Sequence, residues 1–139
     1  RHGAVEWIDN VISSESLGNV KALWYSAVNG FPFLEDSSLE KVFYFFPDPW
    51  VKKRHYKRRA FSAELLGEIH RVLKPGGKLY LMTDVPEVDE FQQKVLKDFG
   101  KFEFSYADSA AWDLPVKTNH EIFCEGRKIP FVRIICVKQ

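Results

Sequence analysis

The strongest constraint on the fold is a strand–helix–strand order in the middle of the chain. Residues 41–46 form a continuous apolar run that stops at Pro47, and such a run is typical of a strand covered on both faces, as in a parallel sheet. A helix then begins after its N-cap, Ser62, and ends at the Lys-Pro-Gly-Gly turn of residues 74–77. A strand over residues 78–82 follows. Because parallel strands need a crossover of this kind, the order predicts an α/β domain with a mostly parallel sheet.

The rest of the chain continues the alternation of helices and strands. Its predicted elements are a helix over the first dozen residues, a strand over residues 20–25, a helix from Pro86, and strands over residues 101–106 and 131–137. The last two strands are separated by a long loop at residues 107–130 in which we expect no clear helix. We expect those two strands to pair antiparallel to each other. Residues 1–139 are therefore predicted to be part of a single domain.

The composition excludes several classes of protein. Hydrophobic residues make up 45% and charged residues 28% of the chain, which argues against disorder. No apolar run is long enough to span a bilayer, and the first residues show no signal peptide. Cys124 and Cys136 lack the spacing of a redox or zinc motif, so we interpret them as reduced thiols. We expect a cytoplasmic protein without a membrane partner, either a monomer or a homodimer; the sequence does not define a protein partner.

Most of the chemical information lies in residues 47–59. Asp48 stands between two prolines directly after the strand, where ligands of open parallel sheets bind. Trp50 offers a flat face on which a base can stack. Six of the twenty basic residues are concentrated in the next few positions, which are Lys52, Lys53, Arg54, Lys57, Arg58 and Arg59. A charge run is often only a solvated face, but beside Trp50 it indicates contacts with RNA phosphates.

The order of these residues resembles the signature of the tRNA (guanine-N7)-methyltransferase family. The resemblance rests on Phe-Pro-Asp-Pro-Trp at residues 46–50, the basic residues up to Arg59, Leu-Lys-Pro-Gly-Gly-Lys-Leu at 73–79, Thr83-Asp84, Thr-Asn-His-Glu at 118–121, and Gly126-Arg127. It implies a class I, Rossmann-like methyltransferase fold with S-adenosylmethionine as the cofactor. It also implies that tRNA is the substrate and that a guanine in its variable loop is methylated.

The resemblance also implies roles for individual residues. Asp48 matches the proposed catalytic residue of the family and a position that contacts the cofactor. The implied substrate contacts are Lys52, Asp84, Thr118, Asn119, His120 and Glu121, and the implied cofactor contacts are Ser26, Ala27 and Phe45. Other members carry Asp or Asn where this chain has Ser26. Asp84 also has a simpler interpretation as a polar residue that ends its strand.

The reaction on N7 of guanine places few demands on acid–base chemistry. N7 carries an in-plane lone pair and no proton, so its attack on a sulfonium methyl group needs no general base. The protein has to position and desolvate the two reactants. A carboxylate such as Asp48 can accept hydrogen bonds from guanine N1–H and the N2 amino group, and its charge favours the methylated, cationic ring.

One expected feature of such an enzyme is not found in the sequence. A glycine-rich loop after a strand normally receives the cofactor, but no Gly-x-Gly occurs here, and Gly76-Gly77 follows a helix. A strand over residues 20–25 would also need neighbouring strands for its backbone hydrogen bonds. We therefore expect the sequence to be the C-terminal part of a longer protein, and the fragment alone to be inactive.

Two other functions compete with methyl transfer. An RNA-binding module without catalysis would explain the basic residues and Trp50 equally well, but not the spacing of Thr118 and Glu121. A metal-dependent nuclease would need a second carboxylate two positions before a lysine, and no Asp-x-Lys or Glu-x-Lys occurs. The four histidines show no ligand spacing, so no metal site is predicted.

Overall fold

The computed structural model describes residues 2–139, apart from the side chains of His2 and Lys53. The helices and strands within these residues are α1 His2–Ser14, β1 Leu39–Phe45, α2 Ala63–Val72, β2 Leu73–Thr83, α3 Pro86–Phe99, β3 Phe102–Tyr106, α4 Asn119–Arg127 and β4 Val132–Lys138, with short 3-10 helices at Ala27–Asn29 and Lys53–Arg58. The predicted first helix, the helix from Pro86 and the strands near residues 41, 78, 101 and 131 are confirmed. None of the helices within residues 2–139 combines the length and apolar character that a bilayer crossing requires.

The four strands form one sheet in the order β1-β2-β4-β3. β1 and β2 are parallel, with Phe45 opposite Met82, whereas β4 is antiparallel to both β2 and β3. The predicted antiparallel pairing of the last two strands is confirmed, and the described part of the sheet is mixed. Since β1 and β2 run the same way, their carboxyl ends meet at one edge of the sheet.

Helices α2 and α3 cover one face of the sheet. Ser62 caps α2 as predicted, because its Oγ accepts a hydrogen bond from the Leu65 N–H at 3.2 Å. The buried residues of this face are Phe61, Leu65, Leu66, Ile69, Leu73, Leu79, Leu81, Leu96, Phe102, Ile134 and Cys136. They form the larger core of the chain and hold β1 and β2 in fixed register beneath α2.

The opposite face is covered by the segment between β3 and α4. Trp112 from this segment packs on Tyr80 and Met82 of β2, together with Phe45 and Phe46 from the end of β1. The ring centroids of Trp112 and Tyr80 lie 5.3 Å apart in an edge-to-face arrangement. This smaller, aromatic core therefore lies next to the carboxyl edge of the sheet.

The predicted strand over residues 20–25 is wrong for the structure described. These residues have no regular secondary structure, and β1 pairs only with β2 within the described chain. A strand exists only where a neighbouring strand accepts its hydrogen bonds. The apolar side chains of the segment are consequently exposed, with Leu23 61% and Trp24 70% accessible.

Two further boundaries differ from the sequence prediction. The loop at residues 107–130 contains a helix, α4, which the sequence reading did not anticipate. The Lys-Pro-Gly-Gly residues at 74–77 lie inside β2 instead of forming a separate turn, and the ladder with β1 is irregular between Leu39 and Lys41. A β-bulge of this kind accommodates extra residues within a strand.

Candidate functional site

Three elements converge at the carboxyl edge of the sheet. The backbone N–H of Phe46, just after β1, donates to the carbonyl oxygen of Met82 in β2 at 2.8 Å. Asp84, just after β2, lies with its Oδ2 3.1 Å from Nε2 of His120 in the first turn of α4. The rings of Phe46 and His120 are 4.3 Å apart. The structure therefore brings Asp84 and His120, two of the predicted substrate contacts, together beside the end of β1.

Asp48 lies in an exposed turn beyond this convergence. The residues on both sides of Pro47-Asp48-Pro49 adopt left-handed backbone conformations, with φ of 45° at Phe46 and 41° at Trp50, which are unfavourable for bulky side chains. Burial, and next the negative charge of Asp48, raise the pKa of the Tyr44 hydroxyl. Asp48 therefore lies close enough to β1 for its charge to act there, while it remains accessible.

A shallow cavity of about 310 Å³ is formed by the turn and the residues after it. Its walls include Asp48, Trp50, Lys52 and His55. Asp48, Trp50 and Lys52 therefore border one space, and their role as a binding site stays a prediction. Asp84 lines a different cavity of about 190 Å³, together with Thr83 and Phe131. The two candidate carboxylates accordingly do not share one cavity within the described residues.

The basic segment is ordered by one of its own arginines. Arg59 Nε donates to the carbonyl oxygen of Pro49 at 3.2 Å. Its guanidinium also lies 4.1 Å from the ring centroid of Tyr56 and 4.5 Å from that of Phe91, distances typical of cation–π contacts. Arg59 was predicted to contact phosphate, but its described contacts attach the Asp48 turn to α3.

The other cations of the segment are more accessible. Lys52, Arg54, Lys57 and Arg58 are exposed, and the side chain of Lys53 lies outside the described residues. The guanidinium of Arg58 lies 5.1 Å from the ring centroid of Trp50. The ring of His55 meets the indole edge-to-face at 5.6 Å. Arg58 and His55 therefore border the indole on which a base is predicted to stack.

The Thr118–Glu121 segment forms the start of α4. Thr118 Oγ1 accepts from the Glu121 N–H at 3.1 Å, and Glu121 Oε2 accepts from the Thr118 N–H at 2.7 Å, which together make a capping box. Glu121 is 1% exposed, and its Oε1 lies 3.0 Å from Arg133 Nη2. Both carboxylate oxygens of this predicted substrate contact are thus occupied inside the protein, whereas Asn119 is exposed and His120 is half-buried.

The predicted cofactor contacts do not share a pocket in the described chain. Ala27 packs against the core beneath α2, and Phe45 packs on the opposite face of the sheet. Ser26 is exposed and precedes the 3-10 helix Ala27–Asn29. Ser26, Ala27 and Phe45 therefore do not form one cofactor site within the described residues.

Arg71 and Glu68 of α2, which the sequence does not single out, hold the loop after Ala27 by hydrogen bonds. Arg71 of α2 donates from Nη2 to the Phe31 carbonyl oxygen at 2.9 Å and from Nη1 to the Leu34 carbonyl oxygen at 2.9 Å. Its Nε donates to Glu68 at 3.0 Å, and the other oxygen of Glu68 accepts from the Phe31 N–H at 2.8 Å. Arg71 and Glu68 are three positions apart on α2, but their loop partners lie some forty positions earlier, so no local pattern reveals them.

Comparisons with known proteins show the family to which the chain is similar. The model of a family described as a putative methyltransferase matches residues 1–129. A tRNA (guanine-N(7)-)-methyltransferase from Neisseria gonorrhoeae is 37% identical over 101 residues, which is 72% of this chain and 42% of that protein. A protein of the same name from Caulobacter vibrioides is 34% identical over 125 residues, 85% of this chain and 54% of its own. The chain thus spans about half the length of these curated relatives.

Solved structures agree on the fold. A SAM-dependent methyltransferase from Aquifex aeolicus covers 97% of this chain and 63% of its own, with a TM-score of 0.60 and 16% identity. An rRNA methylase from Streptococcus thermophilus covers 99% and 69%, with a TM-score of 0.61 and 15% identity. The chain shares the fold of these two methyltransferases, and the prediction of a class I, Rossmann-like α/β fold is confirmed.

Proposed function

This chain belongs to the putative methyltransferase family, and we propose that its protein transfers a methyl group from S-adenosylmethionine to N7 of a guanine in tRNA. The substrate is suggested by the names of the relatives at 34–37% identity. One observation carries the proposal for this chain. Asp48, Trp50 and Lys52 line one accessible cavity. A carboxylate for the edge of a base, an indole for its face and an ammonium group for a phosphate are therefore close together.

Asp48 is proposed to orient the guanine. Its carboxylate accepts hydrogen bonds from N1–H and the N2 amino group, which turns N7 toward the methyl donor without any proton transfer. As N7 is methylated the ring becomes cationic, and a nearby negative charge stabilises that change. S-adenosylmethionine supplies the electrophilic methyl group when bound.

Asp84 is proposed as a second contact of the substrate. It is half-buried at the end of β2, and its Oδ2 is already held by His120 at 3.1 Å. A carboxylate held in this way loses little conformational freedom when it accepts a further hydrogen bond. His120 and the exposed Asn119 then border the substrate from α4, while Thr118 and Glu121 hold the helix start in place.

The accessible cations are proposed to bind tRNA phosphates. Lys52, Arg54, Lys57 and Arg58 are exposed and follow the Asp48 turn directly. Each phosphate neutralised by such a cation releases counterions, so affinity falls as salt rises. Arg59, held by Pro49 and two aromatic rings, keeps this segment next to the cavity.

The substitution Asp48→Asn, made in the full-length protein, tests the proposal. Asparagine keeps the shape of the side chain but cannot accept with both of its terminal atoms, and loss of such a transition-state contact typically costs about 10²–10³ in rate. We expect methyl transfer to tRNA to fall by at least about a hundredfold, with tRNA affinity nearly unchanged. The assay combines labelled methyl transfer with mass spectrometry of the nucleosides, which identifies N7-methylguanosine.

The matched control is Glu103→Gln. Glu103 is an exposed carboxylate on β3, at the far edge of the sheet from β1, and we expect normal transfer from this variant. Unchanged turnover in Asp48→Asn would refute the role of Asp48. If the parent protein binds tRNA but neither binds S-adenosylmethionine nor transfers methyl groups, the non-catalytic RNA-binding module is favoured.

A further inference from the structure

We propose that Asp84, His120 and Cys124 form a binding site for a zinc ion. One ligand atom from each of these three residues lies within 4.8 Å of the others, and no other such group of three His, Cys, Asp or Glu residues occurs among the side chains that the structure describes. The sequence reading predicted no metal site, because His120 and Cys124 match no standard zinc motif. The proposal goes beyond methyl transfer, which needs no metal, and it assigns the ion to Asp84 and His120, two residues that are also proposed to contact the substrate.

Helix geometry explains how two of the ligands meet. His120 and Cys124 are four positions apart on α4, so their side chains lie on the same face, one turn apart. The same spacing presents paired metal ligands on the helices of known zinc proteins. That face is directed at the end of β2, where Asp84 Oδ2 lies 3.1 Å from His120 Nε2 and 4.0 Å from Cys124 Sγ. Two elements distant in sequence therefore supply one cluster.

The distances suit a small tetrahedral ion. Zinc takes sulfur, nitrogen and oxygen ligands at about 2.0–2.3 Å, so atoms that share the ion lie roughly 3.3–3.7 Å from each other. The two distances from Asp84, 3.1 Å to His120 and 4.0 Å to Cys124, lie on either side of this range, and the third pair of ligand atoms lies within 4.8 Å. Movements of about 1 Å in three side chains therefore suffice for coordination.

The chemistry of the three ligands favours zinc over harder cations. A thiolate and an imidazole select zinc and related transition metals, whereas magnesium and calcium prefer oxygen ligands. Three protein ligands leave a fourth position for water or another molecule, as in zinc sites that are not closed. The partial exposure of the Asp84 and His120 side chains, 24% and 42%, gives the ion a route to a cluster whose cysteine is fully buried.

Neighbouring groups hold the ligands in place. The ring of His120 is fixed between Phe46, at 4.3 Å, and Phe123, at 5.7 Å. The Cys124 side chain is fully buried beside Asp84, with Sγ 4.0 Å from Asp84 Oδ2. When the ion binds, the S–H bond breaks, sulfur keeps the electron pair and bonds the metal, and the proton goes to solvent.

Titration of the purified, metal-free protein with Co²⁺ tests the site, because a thiolate bound to Co²⁺ gives a near-ultraviolet charge-transfer absorption. We expect one Co²⁺ per chain with this absorption, and its displacement by an equivalent of Zn²⁺. Cys124→Ser should abolish the absorption. Cys136→Ala is the matched control, since Cys136 is equally buried but lies on β4 in the α2–α3 core, and it should keep the absorption.

If circular dichroism shows that Cys124→Ser does not fold, a variant of the partly exposed ligand His120 provides a second test. His120→Gln should weaken Co²⁺ binding at least about tenfold. Removing a residue that only hydrogen-bonds to a metal ligand already causes a loss of this size. The absence of the absorption in the parent protein, its persistence in Cys124→Ser, or unchanged affinity in His120→Gln would overturn the proposal. The cluster would then be a hydrogen-bonded group only.

Discussion

The buried pair Glu121–Arg133 allows a sharp test of what the Thr118–Glu121 motif does. Glu121 is 1% exposed, the Arg133 side chain is 14% exposed, and their charged atoms are 3.0 Å apart. Arg133 Nε has no hydrogen-bond partner within the described residues; the guanidinium lies over the rings of Trp112 and Phe131, and Glu121 is the carboxylate that balances its charge. Glu121→Ala would leave a cation in a largely buried position without its counter-charge.

The expected cost follows from the geometry of the pair. Removing one partner of a buried ion pair typically costs about 3–5 kcal/mol, and loss of a helix cap costs about 1 kcal/mol. Because both effects act on the same group they do not simply add, and we expect Glu121→Ala to lower the free energy of unfolding by about 3–5 kcal/mol. At roughly 3–4 °C per kcal/mol for a domain of this size, the melting temperature falls by about 10 °C or more.

Urea unfolding followed by tryptophan fluorescence measures this loss. The matched control is Glu125→Ala on the same helix, whose carboxylate forms an exposed ion pair with Lys117 at 2.8 Å. Surface pairs contribute about 0–1 kcal/mol, so the control should remain close to the parent. In Glu121→Ala/Arg133→Met most of the lost stability should return, because no unpaired charge is then buried.

A loss below about 1 kcal/mol in Glu121→Ala would refute the structural role of the carboxylate. If that variant instead kept its stability and lost affinity for tRNA, Glu121 would be the direct substrate contact that the family resemblance implies. The unfolding curve and the binding curve therefore separate the two roles.

Two further predictions concern ionisation. The hydrogen bond from Arg71, followed by the one from the Phe31 N–H, lowers the pKa of Glu68 from 4.5 to about 2. The ionised Glu68 therefore contributes its full stabilisation above pH 4.5, and this contribution is lost as the pH falls toward 2. In Glu68→Gln, the free energy of unfolding, measured in urea at several pH values, should fall less steeply in acid than in the parent, and an identical pH dependence would contradict this. Burial raises the pKa of Cys136 to about 12 and also raises that of Cys124. In the metal-free native protein, neither thiol should therefore react with a colorimetric thiol reagent at pH 8 until denaturant is added. Rapid reaction without denaturant would contradict this prediction.

Local signals were sufficient for the parts of the fold that are stabilised locally. Ser62 is the N-cap predicted from its position before an apolar helical pattern, and the apolar run of β1 is the parallel strand it suggested. The segment at residues 20–25 has an equally apolar pattern but no strand beside it in the described chain. Propensity favours an extended backbone there, but only a neighbouring strand can complete its hydrogen bonds.

The site was predictable to the extent that its residues are consecutive. The Asp48 turn, Trp50 and Lys52 line one cavity because a few residues of rigid chain connect them. The pairing of Asp84 with His120, and of Glu121 with Arg133, depends on how α4 lies against β2 and β4, which no short pattern encodes. His120 and Cys124 are four positions apart in the sequence, but this spacing places two side chains on one face only in a helix, and no helix was predicted there.

The Thr-Asn-His-Glu segment shows why a motif and its chemistry need to be separated. Thr118 and Glu121 are the two residues that a capping box requires, and in this protein their side chains are committed to the start of α4. Their spacing would therefore be retained by helix formation alone, whatever the helix binds. The two residues between them, Asn119 and His120, are not needed for the cap and are the more accessible pair. Within this motif we therefore propose that the middle residues, Asn119 and His120, make the contacts with a substrate or an ion, and that the outer residues fix where α4 begins.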